Sequence, residues 1–348
     1  MISESAMQVL KRIAVIVPYY QVEAGILARA LRSISNQDLS SDVAIDVYII
    51  DDTSPHPPDP EITEDLYAER LSFHVSRQRN GGPGAARNCG LDHVKKAATY
   101  DYVAFLDSDD EWAPGHLSEA LKALDHGYDF YFCDNMREGT FSSYSAETEV
   151  LADTGALLHH KANFDSPDAL LMGFPAYALV EEVIDAYLCQ TSCVVVRAHQ
   201  VENLRFDVEL RSAGEDHMYW IGLILSGARP IISWARNVKC GRGVNVFFNA
   251  FDWNKIETLD RVGCLALFSE KLASLTPANK EMEELVLKKR KLYRRAYAYL
   301  IIRSFLKRQS FISGAYHKIC RYDRLFPLKI PLLAAFILFD RSPGSRKF

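Results

Sequence analysis

The stretch FLDSDDEW (residues 105–112) sets three carboxylates, Asp107, Asp109 and Asp110, into four positions directly behind the apolar run Tyr102 to Leu106. Carboxylates this close repel one another unless a positive group joins them. A hard divalent cation held by carboxylate oxygens, with water and substrate phosphate completing its shell, is such a group. A solvated turn capping the next helix would use the same residue types, so the neighbouring residues decide between the two readings. Asp51-Asp52-Thr53-Ser54 follows a second apolar run, Val47 to Ile50, and Pro18-Tyr19-Tyr20 follows a third, Arg12 to Val17. The loop NGGPGAARN (80–88) adds glycines that admit close backbone approach and a helix start whose N–H groups can face an anion. It is neither a P-loop, since no Gly-Lys-Ser/Thr follows, nor a dinucleotide fingerprint, since Arg87 stands where the third glycine belongs. Further on, SAGEDHMYWIGLIL (212–225) puts Glu215 and Asp216 in a first helical turn. Acids there serve as an N-terminal charge, and the same helix field keeps a carboxylate ionised, as a general base must be. His217, beside two acids at a helix start, reads as a polar neighbour.

Such clusters need rigid elements to hold them. RIAVIV (12–17), VYII (47–50), YVAFL (102–106) and FYFC (130–133) are short, continuous and rich in Val, Ile and aromatics, which is the pattern of strands buried on both faces. Helical spacing runs through 26–34, 83–98 and 115–124, with Pro83 in a first turn that tolerates it. The alternation predicts an α/β fold, a mostly parallel sheet with helices on both faces. Ligands in such sheets gather at the carboxyl ends of the strands, so the polar clusters converge on one rim.

With 348 residues, 48% of them hydrophobic, the chain can form one large domain with an appendage, or two domains. No stretch reaches the roughly 18 apolar residues of a spanning helix, and the N-terminus lacks the apolar core of a signal peptide, which predicts a cytoplasmic location. Seven scattered cysteines read as reduced, small buried residues. Residues 288–348 hold 16 Lys+Arg against Asp323 and Asp340, a charge of +14, which leaves −19 on the preceding 287 residues. An acidic body argues against nucleic acid, whereas the basic tail suits anionic lipid, an acidic partner or the body itself. From about residue 250 the pattern is helical, over 253–275 and 277–308. Lys288, Lys291, Arg294 and Arg295 share one side of the second helix, and Tyr293, Ala296, Tyr297, Leu300 and Ile301 the other. LFPLKIPLLAAFILF (325–339) is very apolar, yet too short and too interrupted by Pro327, Lys329 and Pro331 to span a bilayer. An anionic membrane surface over 288–339, on the inner face of the cell membrane, and a homodimer interface both fit this region.

In order along the chain, VIVPYY (15–20), IIDDTS (49–54), RNGGPGAARNCGL (79–91) and FLDSDDEW resemble the opening strand, the DDGS element, the N-x-G-x-x-x-A-R-N loop and the DxD motif of the inverting family 2 glycosyltransferases. GED (214–216) resembles that family's ED motif, and KCGRGVNVFF (239–248) bears a fainter likeness to bacterial exopolysaccharide glucosyltransferases of the succinoglycan type. The resemblance implies a GT-A fold over 1–245, with a nucleotide-sugar half at about 12–135, an acceptor half at about 136–245, and a basic helical region over 246–348. It implies a nucleotide site of Pro18, Tyr19, Tyr20, Asp51, Asp52, Arg87 and Asp107, with Mn or Mg at Asp107, Asp109 and Asp110. Asp216 would be the base and Glu215 would orient the acceptor. Read from its residues alone, KCGRGVNVFF is either a mobile loop that closes on diphosphate through Arg242 or a connection between domains. The implied reaction moves a sugar from a nucleotide-sugar, a UDP-sugar by preference, to a glycan or lipid-linked acceptor in polysaccharide biosynthesis. Two positions depart from the family: Tyr20 lies where Asn or Ser is common, and Thr53 where Gly is. A nucleotidyltransferase would carry a basic N-terminal loop for triphosphate, which VPYYQVEAG is not; an inactive scaffold would have no use for both the DxD acids and Glu215-Asp216.

Overall fold

The computed structural model describes residues 10–67, 69–140, 142–148, 171–241, 255–275, 280–309 and 314–339. Arg242 lies outside them. Contacts divide the chain into two compact units, one of Met1–Val180, Ala186–Arg205 and Ile221–Val244, the other of Glu181–Asp185, Phe206–Trp220 and Asn245–Phe348.

The first unit is built on a nine-stranded sheet: β1 (Lys11–Tyr19), β2 (Val43–Asp51), β3 (Leu71–Arg77), β4 (Tyr102–Phe105), β5 (Glu111–Trp112), β6 (Phe130–Arg137), β7 (Leu171–Gly173), β8 (Val194–Arg197) and β9 (Pro230–Cys240). Its order is β3-β2-β1-β4-β8-β6-β9-β5, with β7 beside β9. The half from β3 to β4 is parallel, as the apolar runs predict. The other half is mixed: β8 runs antiparallel to both β4 and β6, and β6 pairs with β9 in parallel. Helices α1 (Leu27–Ser35), α2 (Pro83–Ala97) and α3 (His116–Asp125) cover the sheet. Leu27, Leu31 and Ile34 of α1 and Leu117, Leu121 and Leu124 of α3 share a core with Val15, Val17, Val47 and Ile49. On α2, a Cβ at Gly90 would stand 2.5 Å from Ile16 Cγ2, so the helix carrying Arg87 lies directly against the central strand. Two short helices of this unit are α4 (Tyr144–Thr148) and α6 (Ala198–Val201), whereas α5 (Val180–Asp185) belongs from Glu181 onward to the second unit.

Helix α7 (Glu215–Leu225) contributes its residues as far as Trp220 to the second unit, which also holds α8 (Ile256–Ser274), α9 (Lys280–Leu306), α10 (Gly314–Tyr322) and α11 (Phe326–Phe339). In α9 the apolar side packs as its period predicts, with Ala296, Tyr297, Leu300 and Ile301 buried. The basic side differs from a solvated face. Arg294 is largely buried and pairs with Glu270, itself 1% exposed, and with Asp323 at 2.8 Å. Arg290 reaches the same Glu270 at 2.8 Å. Despite Pro331 in its interior, the apolar segment at 326–339 is helical. Among the described residues, no helix is long and apolar enough to cross a membrane. All seven cysteines are free thiols, five buried and two, Cys89 and Cys320, partly exposed, so the expectation that every one is buried fails for that pair.

Candidate donor-binding rim and acidic helix start

The carboxyl ends of β1, β2 and β4 form the rim. Tyr19 and Asp51 are register partners, the Asp52 N–H donates to the Tyr19 carbonyl at 2.9 Å, and the Leu106 N–H donates to that of Ile16 at 3.1 Å. Asp51 is buried; its carboxylate accepts the Ser54 N–H at 2.8 Å and lies 3.4 Å from Arg77 Nε. Asp52 organises the glycine loop. Its Oδ1 accepts Gln78 Nε2 and the Gly81 N–H, its Oδ2 accepts the Gly82 N–H, all at 2.8 Å, and its carbonyl accepts Asn80 Nδ2. Through these bonds Asp52 fixes the shape of the glycine loop. Thr53 sits at φ +62°, a left-handed conformation that costs a β-branched residue about 1–2 kcal/mol and suits glycine, which gives a physical reason for the residue the family prefers there. Its Oγ1 donates to the Gln78 carbonyl at 2.7 Å.

Two aromatic residues at the end of β1 part ways. Tyr20 is 39% exposed, whereas Tyr19 is fully buried and its hydroxyl donates to Glu61, 3.4 Å away. Burial beside that carboxylate pushes the Tyr19 phenol up to about 12. Glu61 in turn accepts the Ala28 N–H at the start of α1 at 2.9 Å. Tyr19 thus braces the rim from beneath through Glu61. Pro18 is partly exposed at the same edge.

The acids of FLDSDDEW divide by environment. Asp107 keeps a third of its side chain exposed and accepts Nη2 of the nearly buried Arg87 at 2.7 Å. Asp109 is half-buried, and desolvation together with the Asp107 charge pushes its carboxyl up to about 6. Asp110 is buried, and both its oxygens are engaged: Oδ2 accepts Ser192 Oγ at 2.5 Å and Oδ1 accepts the Gly241 N–H at 2.8 Å. Asp110 thereby clasps the loop to Ser192 and Gly241. Ser192, in a 3₁₀ turn leading into β8, also accepts the Asp107 N–H at 3.0 Å, and its carbonyl accepts Trp112 Nε1 at 2.7 Å. A Cβ at Gly241 would stand 1.9 Å from the Asp109 carbonyl oxygen, a closeness that only glycine allows. Gln21, 2% exposed, donates from Nε2 to Ser108 Oγ at 2.8 Å and ties the end of β1 to the same loop. Sequence reading misses Gln21, Ser192 and Gly241 because each acts through a partner on a different strand end.

Among the described residues, no group of three or more His, Cys, Asp or Glu side chains is gathered to hold a metal by itself. Asp107 and Asp109 fit a cation that takes few protein ligands and retains water and phosphate oxygens. Their mutual repulsion, visible in the raised Asp109 carboxyl, is what such a charge relieves.

In the second unit, Gly214 at φ +89° turns the chain into α7, where Glu215 is buried and Asp216 half-buried. Asp216 Oδ1 accepts the His217 N–H at 2.7 Å. His217 donates from Nε2 to the Val183 carbonyl at 2.5 Å and stacks on Phe268 at 5.0 Å between centroids.

The profile of Glycosyl transferase family 2 matches residues 14–164. The chain is 33% identical over 249 residues to the succinoglycan biosynthesis protein ExoW of Rhizobium meliloti (strain 1021), which covers 68% of this chain and 71% of that protein. It is 29% identical over 137 residues to the GalNAc(5)-diNAcBac-PP-undecaprenol beta-1,3-glucosyltransferase of Campylobacter jejuni, 38% of this chain and 41% of the relative. Two solved structures share the fold. The mannosyltransferase PcManGT from Pyrobaculum calidifontis, in complex with GDP-Man and Mn2+, aligns with a TM-score of 0.53 at 17% identity, over 95% of this chain and 88% of its own. S. aureus TarS 1-349, in complex with UDP-GlcNAc, aligns at 0.50 and 19% identity, over 92% of each chain. The motifs along β1 to β4, the likeness to ExoW over most of both chains and the shared architecture lead to one conclusion: this chain belongs to glycosyl transferase family 2 and has the GT-A fold.

Proposed function

We propose that the protein is an inverting, metal-dependent glycosyltransferase that moves a sugar from a UDP-sugar to a hydroxyl of a glycan or lipid-linked acceptor in polysaccharide biosynthesis. The observation that carries this reading is the pairing at one strand end of an Arg87-neutralised Asp107 with an Asp109 whose carboxyl is pushed up by burial and by the Asp107 charge. Asp51, Pro18 and Tyr20 border the nucleoside, Asp52 holds the glycine loop in shape, and Arg87 with Asp107 faces ribose and diphosphate. Asp107 and Asp109 would hold Mn or Mg, which when bound offsets the negative charge growing on the departing diphosphate. Asp216 takes the proton of the acceptor hydroxyl, Glu215 orients that acceptor, and the hydroxyl oxygen attacks C1 as the bond to diphosphate oxygen breaks on the opposite face. The anomeric configuration inverts. Support for the pathway and acceptor comes from the named roles of ExoW in succinoglycan biosynthesis and of the Campylobacter relative on an undecaprenol-linked saccharide. A lipid-linked acceptor requires work at a membrane face, as a peripheral protein on its cytoplasmic side.

Calorimetric titration with UDP and GDP, each with Mn and with EDTA, tests this. Mn-dependent UDP binding that Asp109→Ala abolishes is the expected result, and Asp216→Asn should retain that binding while losing transfer. Absence of binding by either nucleotide in the presence of Mn would overturn the reading.

A further inference from the structure

Apart from Lys329, helix α11 is built of apolar residues, a composition that ordinarily marks a helix enclosed by protein or lipid. One face is enclosed: Phe326, Ile330, Ala334 and Ile337 are buried, with Phe326 stacked on Tyr297 of α9. The other is open. Leu328, Leu332 and Phe336, spaced four residues apart, are 78%, 63% and 44% exposed, and Leu325 just ahead of the helix is 57% exposed. Leucines this bare, aligned along one helix, form a continuous apolar stripe rather than scattered surface residues.

The edge of the stripe is cationic. The Arg295 guanidinium lies 4.3 Å from the Phe336 ring centroid and Arg324 is exposed beside Leu325, whereas Lys329 on the helix itself is already paired with Asp323 at 2.7 Å. We propose that this stripe is a membrane-docking surface, seated in the interface of an anionic bilayer, with Leu328, Leu332 and Phe336 entering the acyl boundary and Arg295 and Arg324 at the headgroups. Charge selects the occupant. A second copy meeting this face about a two-fold axis would oppose the same cations to one another, whereas acidic headgroups complement them. By sequence the segment 288–348 carries +14, the sign that complements acidic headgroups. The proposal deepens the reading of a peripheral enzyme with a lipid-linked acceptor, but its test needs neither donor nor acceptor.

Full-length protein is sedimented with sucrose-loaded vesicles of phosphatidylcholine alone and of phosphatidylcholine with 30% phosphatidylglycerol, a composition set at about one anionic lipid in three. We expect binding to the anionic vesicles that weakens with salt, and a loss of roughly 100-fold in the Leu328→Glu/Leu332→Glu variant, whose two side chains no longer leave water. Unchanged circular dichroism and UDP binding confirm that the variant is folded. Equal binding of variant and wild type, equal binding to neutral and anionic vesicles, or no vesicle binding at all overturns the proposal. So does a wild-type dimer in light scattering that the variant converts to monomer without any change in vesicle binding. Vesicle binding without UDP binding would sink the catalytic reading alone.

Discussion

Ser192 lies 85 residues from Asp107 and 82 from Asp110, yet its hydroxyl accepts from one and donates to the other. Ser192→Ala leaves a buried carboxylate oxygen and a backbone N–H without this partner, a loss of about 1–3 kcal/mol. Because the loss falls on the loop that presents Asp107 and Asp109, the variant should weaken Mn-dependent UDP binding more than it lowers the melting temperature, as calorimetry beside thermal unfolding would show. Acidity acts at the same place. The Asp109 carboxyl, raised from an ordinary 3.8 to about 6, binds its proton more tightly in the folded chain, so it destabilises the fold as pH rises through that window. A cation competes for the same form. Mn-dependent UDP affinity should therefore fall as pH is lowered from 7 to 5 in titrations at fixed ionic strength, and an affinity flat across that range would remove Asp109 as a ligand. The acids themselves are legible in the sequence because they are contiguous. Asp110's separate duty is not, since it depends on Ser192 and on Gly241, which is 131 residues away.

Elements show the same limit. β1, β2, β4 and β6 are readable as continuous apolar runs because parallel strands buried on both faces leave that mark. β3, with Ser72, His74 and Ser76 and several half-exposed positions at the sheet edge, lacks it. β8 and β9 join by long-range pairing that no local pattern announces. Helix α9 makes the point with one side chain: Tyr297 and Leu300 obey the helical period, while Arg294 leaves its expected solvated side because Glu270 of α8 is buried opposite it. Glu270→Gln removes the negative charge between Arg290 and Arg294 and should destabilise the second unit by about 3 kcal/mol, part of the Arg294 charge still being met by Asp323. Urea denaturation followed by tryptophan fluorescence would measure it; a change below about 0.5 kcal/mol would show the pair to be dispensable.

At the scale of the molecule, the second unit is assembled from three separated stretches of chain. Lys271 pairs with Asp207 and Glu209, and Arg321 also reaches Glu209, drawing that carboxyl down to about 2. A truncation ending at residue 244 would strip the partners from these acids and from His217 and Gly214, which lie on Phe268. We expect residues 1–244 to aggregate or to remain partly unfolded by circular dichroism, while a well-folded monomer would show the first unit to be self-sufficient. The interleaving also bears on the ribosome. Phe206, Tyr219 and Trp220, stacked together in the finished protein, leave the exit tunnel well before the last stretch of their unit, Asn245–Phe348, is complete. At cellular elongation rates that interval is on the order of 10 s. The sheet of the first unit, for its part, is incomplete until β9 reaches Cys240. Nascent chains of this protein therefore pass a long window with aromatic side chains uncovered, which makes them natural clients for chaperones that act during translation.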